Sequence, residues 1–307
     1  MPTKTSIFLN PVSLAAGIAI FTSTPGVAAE DPPAVPVDPS VMAGFPPPEE
    51  KRVTLMNWQA QPFNHWAFMH VEQVVRTSLV DRGGDPVSVL PRHPLSLANM
   101  EFKAPAGGTI TVAEALARID CNGYLLIKDG RIVFEHYANG FGPRMRHLTQ
   151  SAGKSVSGTL VASLINDGVL DEGKLVTEYL PEMKGSAYEG ATLRHVLNMT
   201  AGVKYSEDYY DPQAEVFQHE ISHAWKPAKE GVPGVLYEFL PTMKEKEREH
   251  DVRFEYASAH TDVLAWIVER ATGKRLTQAL SDRIWSKLGA EQDAAYTVDG
   301  SGTACAN

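Results

Sequence analysis

Residues 150–168 read "QSAGKSVSGTLVASLINDG". From Ala152 onward the apolar residues recur with helical period. Val156, Leu160 and Leu164 form one stripe, Val161 and Ile165 lie beside it, and Gly168 stands where a helix stops. At the mouth of that helix stands Ser151-x-x-Lys154. Residues three apart share a helix face, so the Lys154 amine can reach back to the Ser151 hydroxyl and take its proton. The positive end of the helix favours an oxyanion forming on a carbonyl that Ser151 attacks. Four residues alone are weak evidence, because a capping serine and a surface lysine give the same pattern. The surrounding chain has to decide.

Upstream, "GYLLIKDGRIVFEHY" at 123–137 is two apolar runs joined at Asp129-Gly130, which predicts an antiparallel hairpin. Downstream, helical patterns cover 192–199, 214–223, 236–250, 261–271 and 276–288, before a short strand at 295–298. The mixed-sign run at 244–250 reads as a solvated helix face. Sheet, helical block and return to strand predict an α/β (α+β) architecture, an antiparallel sheet domain with a helical insertion domain. The Pro-rich segment 30–50 reads as an extended arm, and 52–99 as an irregular extension with one helix near 67–78. The expected divisions are a leader at 1–29, arm and extension at 30–120, first strands at 121–150, helical domain at 151–290, and the start of the return to the sheet at 291–307.

Bulk properties narrow the function classes. At 307 residues, 43% hydrophobic and 21% charged, the chain has an ordinary globular composition. A net charge of −9, with no basic cluster, argues against a nucleic-acid partner. Lys4, the apolar run at 12–21 and the small residues Val27-Ala28-Ala29 match an export signal, so a periplasmic or secreted protein is expected. That run is too short to span a bilayer, and no later one reaches membrane length. Cys121 and Cys305 make no disulfide framework and no C-x-x-C pair; one bridge between them stays open. Cys121 reads as a half-buried small hydrophobe.

"QHEISHAW" at 218–225 contains His219-Glu220-x-x-His223, the spacing of a zinc-peptidase helix. On a helical wheel Phe217, Ile221, Ala224 and Trp225 form the apolar face, and the two histidines point about 160° away from it. Glu230, His250 and Asp251 are available third ligands, with nothing to select one. A surface histidine pair is the expectation, and a zinc metallopeptidase the rival.

Tyr256 lies just before the amphipathic helix that begins near residue 261, with Ser258 two residues on. A phenol placed there can move protons for a serine–lysine pair. Ser151-x-x-Lys154, "TLRHVLNMTAGV" (192–203), "YASAHTDVLAWIVERATGKRL" (256–276) and "RIWSKLGAE" (283–291) together resemble the serine hydrolases of the penicillin-binding/class C β-lactamase superfamily. Within it the chain looks most like the 6-aminohexanoate-dimer (nylon-oligomer) hydrolase group, with family VIII carboxylesterases as near relatives. The likeness runs from about residue 44 to the end and includes "GFPPPEEKRVTLMNW" and "NHWAFMHV".

The resemblance implies a β-lactamase/transpeptidase-like fold acting on a small-molecule amide or ester, with no cofactor and no metal. It implies that Ser151 is the acylated nucleophile, Lys154 its base partner and Tyr256 the proton shuttle. Ser258 falls where much of the superfamily has Asn in Y-x-N, which weakens a β-lactam substrate. The lid segment "SEDYYDP" (206–212) offers Tyr209 or Tyr210 to contact the amide, Tyr209 being preferred. The superfamily's third motif, on a late strand, has no counterpart before residue 307, so an unpaired sheet edge and reduced activity are expected. A non-catalytic binding or sensor relative, or an inert fragment, is the other rival. The oligomeric state is left open, a dimer included.

Overall fold

Trp58 organises the first part of the chain. The computed structural model describes residues 37–306, so the leader expected at 1–29 lies outside the described residues. The Trp58 indole is fully buried and donates Nε1–H to the Trp225 carbonyl at 2.9 Å. Ala67, Val75 and Trp225 close around it in a small apolar cluster, with Phe68 packed alongside. This cluster pins a Pro-rich extension that has little regular structure of its own. Its helix α1 (Phe63–Met69) starts earlier than the predicted 67–78, and the end of that range is instead strand β1 (Thr77–Val80). Local periodicity cannot reveal such a strand, because its partner lies at the far end of the chain.

Strands β2 (Glu101–Lys103) and β3 (Thr109–Thr111) pair antiparallel and lead into α2 (Val112–Arg118). A capping box opens α2: Glu114 N–H donates to Thr111 Oγ1 at 3.2 Å, and Thr111 N–H donates to Glu114 Oε2 at 2.7 Å. The predicted hairpin is β4 (Gly123–Lys128) and β5 (Arg131–Tyr137). Asp129 and Gly130 take φ of +51° and +69°, the left-handed pair that a tight twisted hairpin turn demands. On its other side β5 is flanked by residues 91–95: His93 and Leu95 donate their N–H groups to the Ile132 and Val133 carbonyls.

The helical block comprises α3 (Gly153–Asn166), α4 (Val176–Tyr179), α5 (Leu193–Leu197), α6 (Glu215–Ser222), α7 (Leu236–Phe239), α8 (Ser258–Thr272) and α9 (Leu276–Arg283). Strand β6 (Ala294–Thr297) then returns to β1, with Thr77 opposite Thr297. The strands form three two-stranded antiparallel ladders among the described residues.

Two predicted helices fall far short of their patterns. The one expected at 236–250 stops after α7, where Pro241 allows only a 3₁₀ turn. Residues 244–250 then bond to the 200–204 loop rather than presenting a solvated helix face. Lys246 bridges Val203, and Glu247 N–H donates to the Gly202 carbonyl. The one expected at 276–288 ends at Arg283 and continues as a 3₁₀ turn.

The core lies between α3, α5, α8 and α9. Leu160, Val161, Leu164, Leu193, Val196, Val263, Ile267, Leu276 and Leu280 are all buried in it. Each such side chain stabilises the fold by about 1.5–3 kcal/mol of transfer free energy before entropy is counted. Helix α8 is the central element, buried continuously from Ser258 to Val268. Gly273, at φ +66°, provides the left-handed residue that ends it. Cys121 is half-buried, Cys305 is buried, and neither is bridged.

Candidate active site

Ser151 sits in a 3₁₀ turn, Gln150–Ala152, that runs directly into α3. Gln150 before it is held at φ +48°, an uncommon conformation for a residue with a side chain. One turn on, the Lys154 side chain lies against the core, only 9% exposed. Its Nζ donates to Ser151 Oγ at 2.9 Å. The same Nζ stands 5.3 Å from the centre of the Tyr256 ring, which arrives from the segment before α8. Three residues separated by up to 105 positions, from 151 to 256, are thus brought to one place by the packing of α3 against α8.

Ser258 opens α8, and its N–H donates to Glu207 Oε1 at 2.6 Å. A carboxylate at a helix N-terminus meets favourable dipole and free N–H groups. Glu207 belongs to the "SEDYYDP" segment, so this bond ties that segment to the Tyr256-x-Ser258 stretch. Tyr209 from the same segment lines a cavity of about 640 Å³ together with Ser151 and Ser258. Tyr210 is turned outward, 98% exposed.

The rest of the cavity wall was not legible in the sequence. Trp58, Phe217 and Trp225 supply apolar surface, while Gln59, Glu220 and Lys226 supply polar groups. The Glu220 carboxylate is nearly buried. It accepts from Gln59 Nε2 at 2.9 Å and pairs with Lys226 Nζ at 3.2 Å. Both charges come from α6 and the turn after it, so the cavity has an acidic and a basic group on one wall.

The two histidines of "HEISH" are not a surface pair. His219 and His223 are each 1% exposed, and the Nε2 atoms of both lie 3.0 Å from Oδ2 of Asp262 on α8, itself fully buried. The wheel projection failed because α6 is enclosed on several sides, not one. Phe239 stacks on His219, α8 faces both imidazoles, and the Trp58 cluster covers the helix end. Tyr205 Oη bonds His219 Nδ1 at 2.8 Å, and Ala306 N–H donates to Asp262 Oδ1 at 2.7 Å. Burial, reinforced by the neighbouring His223, pushes the His219 imidazole down to about 4. Burial opposes the charge on Asp262, but His223 and the hydrogen bonds from both imidazoles more than offset it, holding this carboxyl far below the usual range. None of the third ligands considered from sequence, Glu230, His250 or Asp251, is the residue that meets the pair. The available signal was an acid inside the apolar stripe of α8.

Residues 118–303, more than half of the chain, match the family model described as Beta-lactamase. The chain belongs to this family. The fold, mixed helices with small antiparallel ladders, is that of a Beta-lactamase family member. Among curated relatives, a 6-aminohexanoate-dimer hydrolase of Paenarthrobacter ureafaciens is 39% identical over 269 residues, covering 88% of this chain. The chain spans 64% of the length of that relative. Among solved structures, a Bacillus anthracis protein assigned as a 6-aminohexanoate-dimer hydrolase superposes with a TM-score of 0.77 at 26% identity, covering 84% of this chain and 68% of the other.

Proposed function

We propose that this Beta-lactamase family chain is a serine hydrolase that cleaves amide or ester bonds through an acyl-Ser151 intermediate. The observation that carries this reading is the 2.9 Å contact from Lys154 Nζ to Ser151 Oγ, at a cavity wall and beside the Tyr256 ring. Lys154 serves as the base that takes the hydroxyl proton as Ser151 Oγ attacks the substrate carbonyl. The tetrahedral intermediate collapses and the leaving amine or alcohol receives a proton, with Tyr256 as the group that passes it on. Water then attacks the acyl-serine ester, gives up a proton along the same route, and frees the acid. Tyr209 and Ser258 are assigned to substrate contact.

The substrate class favoured is a small linear amide with charged ends. The curated relative is named for a dimer of 6-aminohexanoate, a molecule with an ammonium at one end and a carboxylate at the other. Glu220 and Lys226 on the cavity wall offer partners of both signs. The signal-like pattern at Lys4, 12–21 and 27–29 supports export, and no helix among the described residues is long and apolar enough to cross a membrane.

The deciding experiment is intact-mass labelling with an activated ester and with a fluorophosphonate, followed by peptide mapping. One adduct per chain on Ser151, absent from Ser151→Ala, is the expected result. A cooperatively melting protein that takes up neither probe at Ser151 overturns the proposal.

A further inference from the structure

We infer that His219, His223 and Asp262 form a binding site for one divalent transition-metal ion of the zinc class, clamping α6 to α8. Their ligand atoms all lie within 4.8 Å of one another, and each histidine Nε2 is 3.0 Å from Asp262 Oδ2. In a tetrahedral shell with bonds of about 2.0 Å, neighbouring ligand atoms stand about 3.3 Å apart. The two imidazole-to-carboxylate spacings need to open by only a few tenths of an ångström to match that shell.

The donor set is two imidazoles and one carboxylate, a combination that suits zinc and its neighbours far better than calcium or magnesium. The surroundings are those of a held site. Tyr205 Oη lies 2.8 Å from His219 Nδ1 and can accept its proton, which leaves the Nε2 lone pair facing inward. Ala306 N–H fixes the second oxygen of Asp262 at 2.7 Å. An imidazole on α6, a second at its C-cap four residues on, and a carboxylate on α8 are brought together by packing, so binding reads out the folded state. The competing arrangement has each imidazole donating Nε2–H to Asp262 with no ion between them.

The two arrangements are separated by metal uptake, which does not depend on hydrolysis or on Ser151. The full chain without an affinity tag is stripped with a chelator, desalted, and titrated with zinc chloride against a chromophoric competitor. One tightly held equivalent is expected. His223→Gln and Asp262→Asn should each weaken uptake by about 100-fold or more, and Tyr205→Phe by about tenfold as an orienting neighbour. Wild-type protein without stoichiometric uptake overturns the inference, as does uptake unchanged in both ligand variants. Should those variants not fold, cobalt(II) added to the stripped wild type decides. Intense visible bands of a tetrahedral nitrogen/oxygen site support the inference, and their absence overturns it.

Discussion

Trp58 and Trp225 meet edge to face, ring centres 5.6 Å apart and planes at 89°, with the Trp58 N–H on the Trp225 carbonyl. Both rings line the cavity beside Ser151, so the contact joins the N-terminal extension to the end of α6 at the candidate site. Trp58→Ala should cost about 3–5 kcal/mol of stability, as large-to-small core changes do. Trp58→Phe retains most of the packing but leaves a buried carbonyl without its donor, at about 1–3 kcal/mol. Urea unfolding of the three proteins measures both. Equal stability of wild type and Trp58→Ala contradicts the anchoring role.

Lys154 offers a test of base against mere positive charge. Arginine at this position keeps the charge but cannot give up a proton near neutral pH. Lys154→Arg and Lys154→Met should therefore both slow acylation, by about 100-fold or more. Pre-steady-state release from a p-nitrophenyl ester reads this directly. Near wild-type acylation in the arginine variant rules out proton transfer as the function of Lys154.

The sequence pointed to the hairpin, to α3 and α8, and to the serine–lysine pair because each is set by near neighbours. The Asp129-Gly130 turn and the helical stripe of Leu160 and Leu164 are short-range patterns with a physical cause in backbone geometry. What escaped depends on partners far along the chain. β1 exists because residues 294–297 lie beside it, and the histidines of α6 are buried because α8 brings Asp262 to them. The same distance hid the cavity role of Glu220, since its neighbour Gln59 lies 161 residues away.

The Glu220 carboxylate should discriminate between substrates by charge. Losing a charge-assisted contact in a nearly buried site is worth about 1.5–3 kcal/mol, or roughly 10- to 100-fold. Glu220→Gln should lower kcat/KM for 6-aminohexanoyl p-nitroanilide by this factor and leave hexanoyl p-nitroanilide little changed. Parallel losses on the two substrates would show that Glu220 only supports the wall.

Acid should destabilise the fold through His260. Its ring is buried on α8, with Nδ1 3.0 Å from Tyr188 Oη, and burial together with the charges of Arg248 and His250 pushes it down to about 3 from the ordinary 6.5. The unfolded chain takes up this proton below about pH 6.5, whereas the folded protein does not until about pH 3. The stability is therefore complete above 6.5 and declines as the pH falls through that window. The decline is about 1.4 kcal/mol per pH unit for this one group. Urea midpoints of wild type and His260→Gln between pH 7 and 4.5 test the sign. A shallower slope in the variant is expected, and an identical slope refutes the assignment.

Helix α6 answers to two neighbours at once, with Glu220 turned to the cavity and His219, one position earlier, turned to Asp262. One residue of slippage rotates a helix by about 100° and would remove both together. An insertion or deletion here can never retune substrate choice alone; inheritance along this stretch is confined to replacements in place.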